Sequence, residues 1–198
     1  NPFLPYEPDM FVSEAGPVHV CLLNKFPVLP NHLLICSKSF VDQTLPLTLQ
    51  DFEAWLMGFD NNDLLGFYNS GQVAGASQAH RHMQLVKTTI PMETQIKAGK
   101  LDFNHRLFLF DRLDAVALFN YYNKAMSELG LNGQPQCLPY NLLLTPNWML
   151  IVPRSASNQN NIYANGLNYA GLFLVKSEQQ AQWLTRYGLL KFLKDCSG

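Results

Sequence analysis

Short apolar runs alternate with longer helical repeats along the chain, and turn residues separate them. Seven runs are apolar enough and rich enough in strand-forming residues to predict strands. They comprise residues 18–23, 32–36, 64–68, 80–87, 107–110, 140–145 and 148–152. Turn residues lie between the first two runs and also between the last two runs. Each of these two pairs therefore predicts an antiparallel hairpin. The whole pattern predicts an α+β fold, a twisted antiparallel sheet with helices packed on one face.

Three amphipathic helices are predicted from capping residues and from apolar residues at helical spacing. The first begins after Thr48, the second runs from Asp114 to a stop at Gly130, and the last opens at a capping box that starts with Ser177. Their expected inward-facing residues are Phe52, Trp55, Leu56 and Phe59; Val116, Phe119, Tyr122, Met126 and Leu129; and Trp183, Leu184, Tyr187 and Leu190. These helices are interpreted as structural parts of the core.

Two segments carry no such periodicity. Residues 1–9 contain three prolines and predict an extended arm with turns. Residues 88–106 are polar and include Pro91, which predicts a mobile connection. That connection could form a lid over a site, but an ordinary surface loop is the expectation.

Composition narrows the class of protein. A chain of 198 residues with 47% hydrophobic residues can bury a full core, as one domain or as one domain with a C-terminal subdomain. The net charge of −1 argues against nucleic acid as a partner, so local groups must hold any anion. No apolar run is long enough for a bilayer span, so no membrane is expected. The first residue is Asn1 rather than methionine, and we expect further sequence before it.

The cysteines argue against a disulfide framework and against a zinc motif. Four cysteines are scattered along the chain without a Cys-x-x-Cys pair, at positions 21, 36, 137 and 196. Such spacing is typical of reduced thiols, and a cytoplasmic protein is therefore expected. No protein-bound metal site is predicted.

The most informative stretch is residues 69–84, Asn-Ser-Gly-Gln-Val-Ala-Gly-Ala-Ser-Gln-Ala-His-Arg-His-Met-Gln. In a strand, His80, His82 and Gln84 would line one face at intervals of about 7 Å. The glycine-containing loop before them can turn backbone N–H groups toward an anion. A nucleophile beside an anion-binding loop favours phosphoryl or nucleotidyl transfer. Without its flanks, His-x-His would more often be a pair of hydrogen-bonded core residues or half of a metal site.

The flanking residues resemble the signature of the histidine-triad superfamily in its transferase branch. The similarity lies in Asn69-x-Gly71 and in Gly75-Ala-Ser-Gln-x-His-x-His-x-Gln84, where glutamine stands in the third motif position. That branch holds galactose-1-phosphate uridylyltransferase and the ATP adenylyltransferases, also called diadenosine tetraphosphate phosphorylases. Hydrolases of the superfamily usually have histidine in place of Gln84.

The resemblance to the adenylyltransferases extends over nearly the whole chain. The similar stretches outside the motif lie at residues 1–5, 22–26, 32–35, 140–155 and 165–176. Residues 88–106 differ from the proline-rich stretch expected after the motif. The resemblance implies a catalytic region over 1–106 and a C-terminal module over 107–198 that packs on the same sheet.

The resemblance also implies roles for individual residues. His82 is expected to be the nucleophile and His80 to position the motif, while Gln84 donates an amide N–H to a non-bridging phosphate oxygen. The residues expected to bind substrate are Lys25, Asn69, Gly75, Ala76, Ser77, Gln78, Thr145 and Lys176. Lys25 could equally be a solvated turn residue, and Thr145 and Lys176 could be a turn residue and a surface charge.

The implied reaction is phosphorolysis of diadenosine tetraphosphate to ATP and ADP through an adenylyl-histidine. The implied partners are dinucleoside polyphosphates, ATP, ADP and phosphate, with a divalent cation, Mg²⁺, carried by the substrate. Three alternatives remain: a nucleoside-phosphate hydrolase, a transferase for another nucleotide, and a catalytically idle nucleotide-binding protein. The pattern does not distinguish a monomer from a homodimer.

Overall fold

The computed structural model of the protein describes residues 1–59 and 63–198. The strands are β1 Phe11–Glu14, β2 His19–Leu23, β3 Leu33–Ser37, β4 Leu64–Asn69, β5 His82–Lys87, β6 Arg106–Leu109, β7 Tyr140–Leu144, β8 Trp148–Pro153, β9 Asn158–Gln159 and β10 Ile162–Tyr163. The helices are α1 Leu49–Leu56, α2 Glu93–Lys97, α3 Ala115–Glu128, α4 Gly166–Tyr169, α5 Glu178–Tyr187 and α6 Leu189–Cys196. None of the helices in these two ranges could span a membrane.

Eight strands form one antiparallel sheet in the order β1-β2-β3-β5-β4-β7-β8-β6. The predicted hairpins β2–β3 and β7–β8 are confirmed. At the centre, β4 pairs with β5 on one side and with β7 on the other, and Asn69 lies opposite Asn141. Strands from the two halves of the chain therefore share a single sheet, and the α+β class is confirmed.

The helices cover both faces of this sheet, so the expectation of helices on one face is wrong. A first cluster joins α1 and α3 to one face and includes Phe52, Trp55 and Tyr122. A second cluster on the opposite face includes Phe67, Trp148, Leu167 and Phe192, and it involves α2, α4, α5 and α6. The central strands are buried on both sides because their alternate residues enter opposite clusters, as Leu142 and Leu143 of β7 do.

A third, smaller cluster lies under the N-terminal arm. Phe3 of the arm packs with Val20, Leu22, Leu34 and Cys36 of β2 and β3. The expected arm is therefore anchored, because burial of the Phe3 ring holds it against the sheet.

Helix α1 begins as its capping residues predict. The Thr48 side chain accepts a hydrogen bond from Asp51 N, and the Asp51 carboxylate accepts one from Thr48 N at 2.7 Å. The same buried carboxylate accepts from Arg81 Nη1 at 2.9 Å and lies 2.8 Å from His19 Nε2. The cap thereby ties α1 to β2 and to the residue between the two motif histidines.

The C-terminal helix differs from the prediction. The pattern from Ser177 predicted one helix with Leu190 inward, but Gly188 at φ +94° ends α5 and a separate α6 follows. Leu190 is consequently 53% exposed, and the inward position is wrong. Ser177 caps Gln180 N, but the Gln180 carboxamide accepts from Lys176 N, so the box is only half formed.

Two further expectations need correction. Residues 88–106 are not a plain loop, because they contain α2, whose Ile96 is fully buried in the second cluster. In α3 the buried residues are Leu118, Tyr122, Ala125 and Met126, whereas Val116 is 55% exposed. The face of α3 that meets the sheet is thus rotated from the predicted one. Gly130 does follow α3 at φ +66°, as the stop signal predicted.

Candidate active site

A cavity of about 520 Å³ opens on the face that carries the second and third clusters. The sheet contributes Phe67, His82 and Gln84 to its lining, and residues 2–10 contribute the rings of Phe3 and Tyr6. The lining therefore combines apolar rings with a few polar groups. Such a cavity suits a ligand that joins a flat apolar ring to a polar chain.

His82 begins β5 and lies in the wall of this cavity, where its residue surface is only 4% exposed. Its Nδ1 is 2.8 Å from the carbonyl oxygen of His80, which can only accept, so Nδ1 carries the proton. The lone pair is therefore on Nε2, the nitrogen without a partner among the described residues. Burial lowers the pKa of His82 to about 4, which keeps the ring neutral and nucleophilic near pH 7.

His80 precedes β5 and forms an isolated bridge to Asp42, which lies outside the strands of the sheet. Its Nε2 donates to Ser37 O at 2.8 Å, and its ring packs edge-on against Phe3. The ring does not line the cavity, whereas the backbone carbonyl of His80 orients His82. The positioning role expected of His80 stays a prediction, which this carbonyl contact supports.

The loop between β4 and β5 turns at Gly75, which has a φ of +93°. A Cβ there would lie 2.6 Å from Asn165 Cβ and 2.7 Å from Ala164 O, so only glycine fits. The N–H groups of Gly75 and Ala76 are used inside the loop, by Gln72 O and Gly71 O, both at 3.0 Å.

Of the loop amides that were expected to bind an anion, only those of the next two residues, Ser77 and Gln78, are available to a ligand. Ser77 and Gln78 line the cavity, and their backbone N–H groups have no partner within residues 1–59 and 63–198. Ala76, although expected to bind substrate, is buried beside the cavity and is absent from its lining.

Asn69 ends β4 with its carboxamide held in one orientation. The Arg154 guanidinium can only donate, and its Nη1 does so to Asn141 Oδ1 at 2.5 Å. Asn141 Nδ2 then donates to Asn69 Oδ1 at 2.8 Å, and Gly166 N donates to the same oxygen at 2.9 Å. The Asn69 amide nitrogen is left as a donor at the cavity, as a phosphate-binding role requires.

Lys25 lines the cavity from the β2–β3 connection, as expected, but it is not isolated there. Its Nζ is 2.6 Å from a carboxylate oxygen of Glu7, and both side chains are more than half exposed. The pair joins the N-terminal arm to the β2–β3 connection at the cavity mouth. An exposed pair of this kind is weak, so an anion could compete for the ammonium.

Thr145 and Lys176 lie outside this cavity. Thr145 is in the β7–β8 turn, where its Oγ1 accepts from Trp148 N at 3.2 Å and serves the turn itself. Lys176 is exposed just before α5. Of the eleven predicted site residues, seven line this cavity and two, His80 and Ala76, adjoin its lining residues, whereas Thr145 and Lys176 do neither.

Some residues at the site were not predicted as site residues. They are Phe3, Tyr6, Asn24, His32, Asn141 and Asn165. One signal for them was available: Asn141 is a polar residue inside the otherwise apolar run 140–144, and buried amides need partners. His32 stood inside a predicted strand, where nothing in the pattern marked its side chain as part of a site.

The antiparallel sheet, with the His82 imidazole at the start of β5 and a glycine-containing loop before it, is consistent with the histidine-triad class of enzymes. Residues 1–101 match the family model described as the Ap4A phosphorylase N-terminal domain. Residues 99–198 match the model of the ATP adenylyltransferase C-terminal domain. The chain belongs to the Ap4A phosphorylase and ATP adenylyltransferase family.

Relatives and solved structures agree with this assignment. The chain is 28% identical to diadenosine 5',5'''-P1,P4-tetraphosphate phosphorylase 2 of Saccharomyces cerevisiae, over 93% of this chain and 71% of that protein. It is also 28% identical to Protein APA1 of the same yeast, over 80% of this chain and 61% of that protein. The crystal structure of yeast Ap4A phosphorylase Apa2 in complex with Ap4A superposes with a TM-score of 0.84 at 28% identity, covering 99% of this chain and 80% of that one.

Proposed function

We propose that this protein catalyses phosphorolysis of diadenosine tetraphosphate to ATP and ADP, and the reverse exchange, through a covalent adenylyl group on His82. The observation that carries the proposal is the His82 ring in the cavity wall, whose Nδ1–H is held by His80 O so that Nε2 keeps the lone pair. Family membership and the Ap4A-bound relative support the choice of substrate.

The reaction is a double displacement at one phosphorus. His82 Nε2 attacks the α-phosphorus of one adenylyl group, a P–N bond forms, and the P–O bond to the remaining polyphosphate breaks to release ATP. An oxygen of inorganic phosphate then attacks the same phosphorus, the P–N bond breaks, and ADP leaves. ATP is a good leaving group, so the first step needs little help from a general acid.

Amide donors are proposed to stabilise the negative charge on the non-bridging oxygens of the transferred phosphoryl group. The Asn69 Nδ2, the Gln84 Nε2 and the backbone amides of Ser77 and Gln78 are the donors proposed for the non-bridging oxygens. Lys25 is proposed to exchange Glu7 for the distal phosphates. Fixed donors of this kind stabilise the transition state because they need no reorientation as charge shifts.

A divalent cation, Mg²⁺, is proposed to arrive with the polyphosphate. In the part of the chain that the structure describes, no group of three or more His, Cys, Asp or Glu side chains could hold a metal ion. A reducing compartment such as the cytoplasm suits the protein, because its four cysteines are buried free thiols.

The test is product analysis by anion-exchange chromatography after incubation of diadenosine tetraphosphate with Mg²⁺, with and without phosphate. We expect ATP and ADP with phosphate. Without it, we expect one ATP released per enzyme and a protein mass increased by one adenylyl group. Products formed equally well without phosphate would contradict phosphorolysis in favour of hydrolysis, and binding without turnover would favour an idle nucleotide-binding protein.

The matched control for His82→Ala is His105→Ala. His105 Nδ1 makes the same local bond, to Phe103 O at 2.8 Å, but His105 does not line the cavity. We expect His82→Ala to lower kcat by about 10³-fold or more and to abolish the mass increase, whereas His105→Ala keeps both. Equal losses in the two variants would exclude His82 as the nucleophile.

A further inference from the structure

The carboxamide of Gln84 has an accepting end and a donating end, and only the donating end can stabilise a phosphate oxygen. Gln84 lies in β5 opposite Leu34 of β3, and its side chain reaches the cavity. Its Oε1 is 3.0 Å from Nε2 of His32, a buried residue just before β3. What the His32 nitrogen does therefore decides which end of Gln84 faces a ligand.

A chain of hydrogen bonds fixes the direction of this contact. It begins at the backbone N–H of Phe26, which can only donate and does so to Asn24 Oδ1 at 3.0 Å. The other end of the Asn24 carboxamide, Nδ2, must then be the donor that lies 3.1 Å from His32 Nδ1. Since Nδ1 accepts, the ring proton is on Nε2 and is donated to Gln84 Oε1.

We propose that His32 is a positioning residue that holds the Gln84 carboxamide with its N–H group toward the transferred phosphorus. The proposal rests on the function proposed above, in which Gln84 meets that phosphorus. His32 touches no reacting atom in this scheme and acts only through Gln84. The two rings consequently hold opposite tautomers, with the proton on Nε2 of His32 and on Nδ1 of His82.

The surroundings of His32 keep this arrangement in place. Its ring packs against Phe67, with 5.6 Å between ring centroids, and its backbone carbonyl accepts from Asn24 N at 2.9 Å. Burial lowers the pKa of His32 to about 4, so near pH 7 the ring is neutral and Nδ1 can accept. A protonated ring would lose that acceptor and break the chain of hydrogen bonds at Asn24.

The first test needs no turnover. In protein labelled with ¹⁵N at histidine, the nitrogen shifts at pH 7 report the tautomer of each ring, and His32→Gln identifies the His32 signals. We expect a neutral ring protonated on Nε2 for His32, and protonation on Nδ1 for His82 and His105. A His32 ring protonated on Nδ1, or charged, would overturn the proposal whether or not the enzyme is active on diadenosine tetraphosphate.

The second test asks whether His32 acts through Gln84. We expect His32→Ala to lower kcat by about 10²-fold with little change in KM, as loss of one oriented donor does. His32→Gln places an amide N–H where Nε2–H was and should restore most of kcat. In a Gln84→Ala background, His32→Ala should cause no further loss, because the carboxamide that it orients is already absent.

Two results would overturn the positioning role. One is multiplicative loss in the double variant, and the other is a failure of His32→Gln to rescue an enzyme that melts like wild type. Thermal melting of every variant separates lost orientation from lost folding. An inactive wild-type protein would instead count against the proposed function, and the nitrogen shifts would still decide the tautomer.

Discussion

At the scale of single residues, the site consists of polar groups whose direction is set by partners far along the chain. Asn69 is oriented by Asn141 and Arg154, and Gln84 by His32 and Asn24. Each of these two chains of hydrogen bonds begins at a group that can only donate, so the direction of every later hydrogen bond in the chain is fixed. Buried polar groups of this kind are costly when a partner is lost, which holds the orientations in place.

Folding stability should depend on pH through the buried histidines. The pKa values of His32 and His82 fall from 6.5 to about 4 on folding, so between these values the unfolded chain binds more protons. Stability is therefore present above pH 6.5 and is lost as the pH falls toward 4. From pH 7 to pH 5 we expect a loss of about 2 kcal/mol per histidine in the free energy of unfolding, measured with urea.

The control for this pH dependence is His82→Ala, measured at the same two pH values. It should reduce the loss by the roughly 2 kcal/mol that His82 contributes. An undiminished pH dependence in His82→Ala would show that His82 is not the group that titrates.

At the scale of elements, the β4–β5 loop packs closely against the segment that precedes α4. Gly75 lets the backbone pass against Ala164 and Asn165, which precede α4, and so it fixes where Ser77 and Gln78 reach the cavity. The turn is stiffened from within by bonds from Ala74 N and Ala76 N to Gly71 O. An anion-binding loop held this way needs little ordering when a ligand binds.

Gly75→Ala should therefore be far more damaging than a similar change elsewhere. Gly99→Ala is the matched control, because Gly99 also has a positive φ, +63°, but a Cβ there would meet nothing within 4 Å. We expect about 1 kcal/mol of destabilisation for Gly99→Ala, from backbone strain alone. For Gly75→Ala we expect about 3 kcal/mol or more, since the loop must also shift.

Activity should separate these two glycine variants further. Phosphorolysis should fall strongly in Gly75→Ala at temperatures where the protein remains folded, and it should stay near wild type in Gly99→Ala. Equal stability and equal activity in both variants would contradict the close approach at Gly75.

The sequence was most informative where a local signal sufficed. Thr48 with Asp51, Gly130 and the two hairpins each depend on neighbouring residues, and they were predicted correctly. The break at Gly188 was missed because apolar spacing continues across it. The motif placed His82 and Gln84 at one site, but not His32, whose role depends on a hydrogen bond across the sheet. Long-range side-chain contacts leave no periodic trace.

At the scale of the whole molecule, the two regions matched by separate family models form one sheet with two apolar faces. β4 of the first region pairs with β7 of the second, and members of both regions enter both main clusters. Neither region could keep its own core if the other were removed, because each face would lose its packing. The chain should behave as one cooperative unit.

Tryptophan fluorescence can test this cooperativity, because Trp55 lies in the first cluster and Trp148 in the second. We expect urea unfolding followed by Trp55 alone, in Trp148→Phe/Trp183→Phe, to coincide with the loss of far-UV circular dichroism in that variant. The same coincidence should hold for Trp148 alone, in Trp55→Phe/Trp183→Phe. Separate midpoints for fluorescence and circular dichroism would mean that the two faces unfold independently.

The central β4–β7 pairing has a consequence for how the protein is made. While the ribosome is still synthesising the chain, β4 emerges well before β7. Until β7 is available, the edge of β4 that pairs with it has no hydrogen-bond partner. Asn141 and Arg154, which orient Asn69, also emerge after the whole motif of residues 69–84 has been synthesised. A nascent chain stalled between β5 and β7 would carry every motif residue and yet hold no formed nucleotide site, and its open edge would make it a client for chaperones.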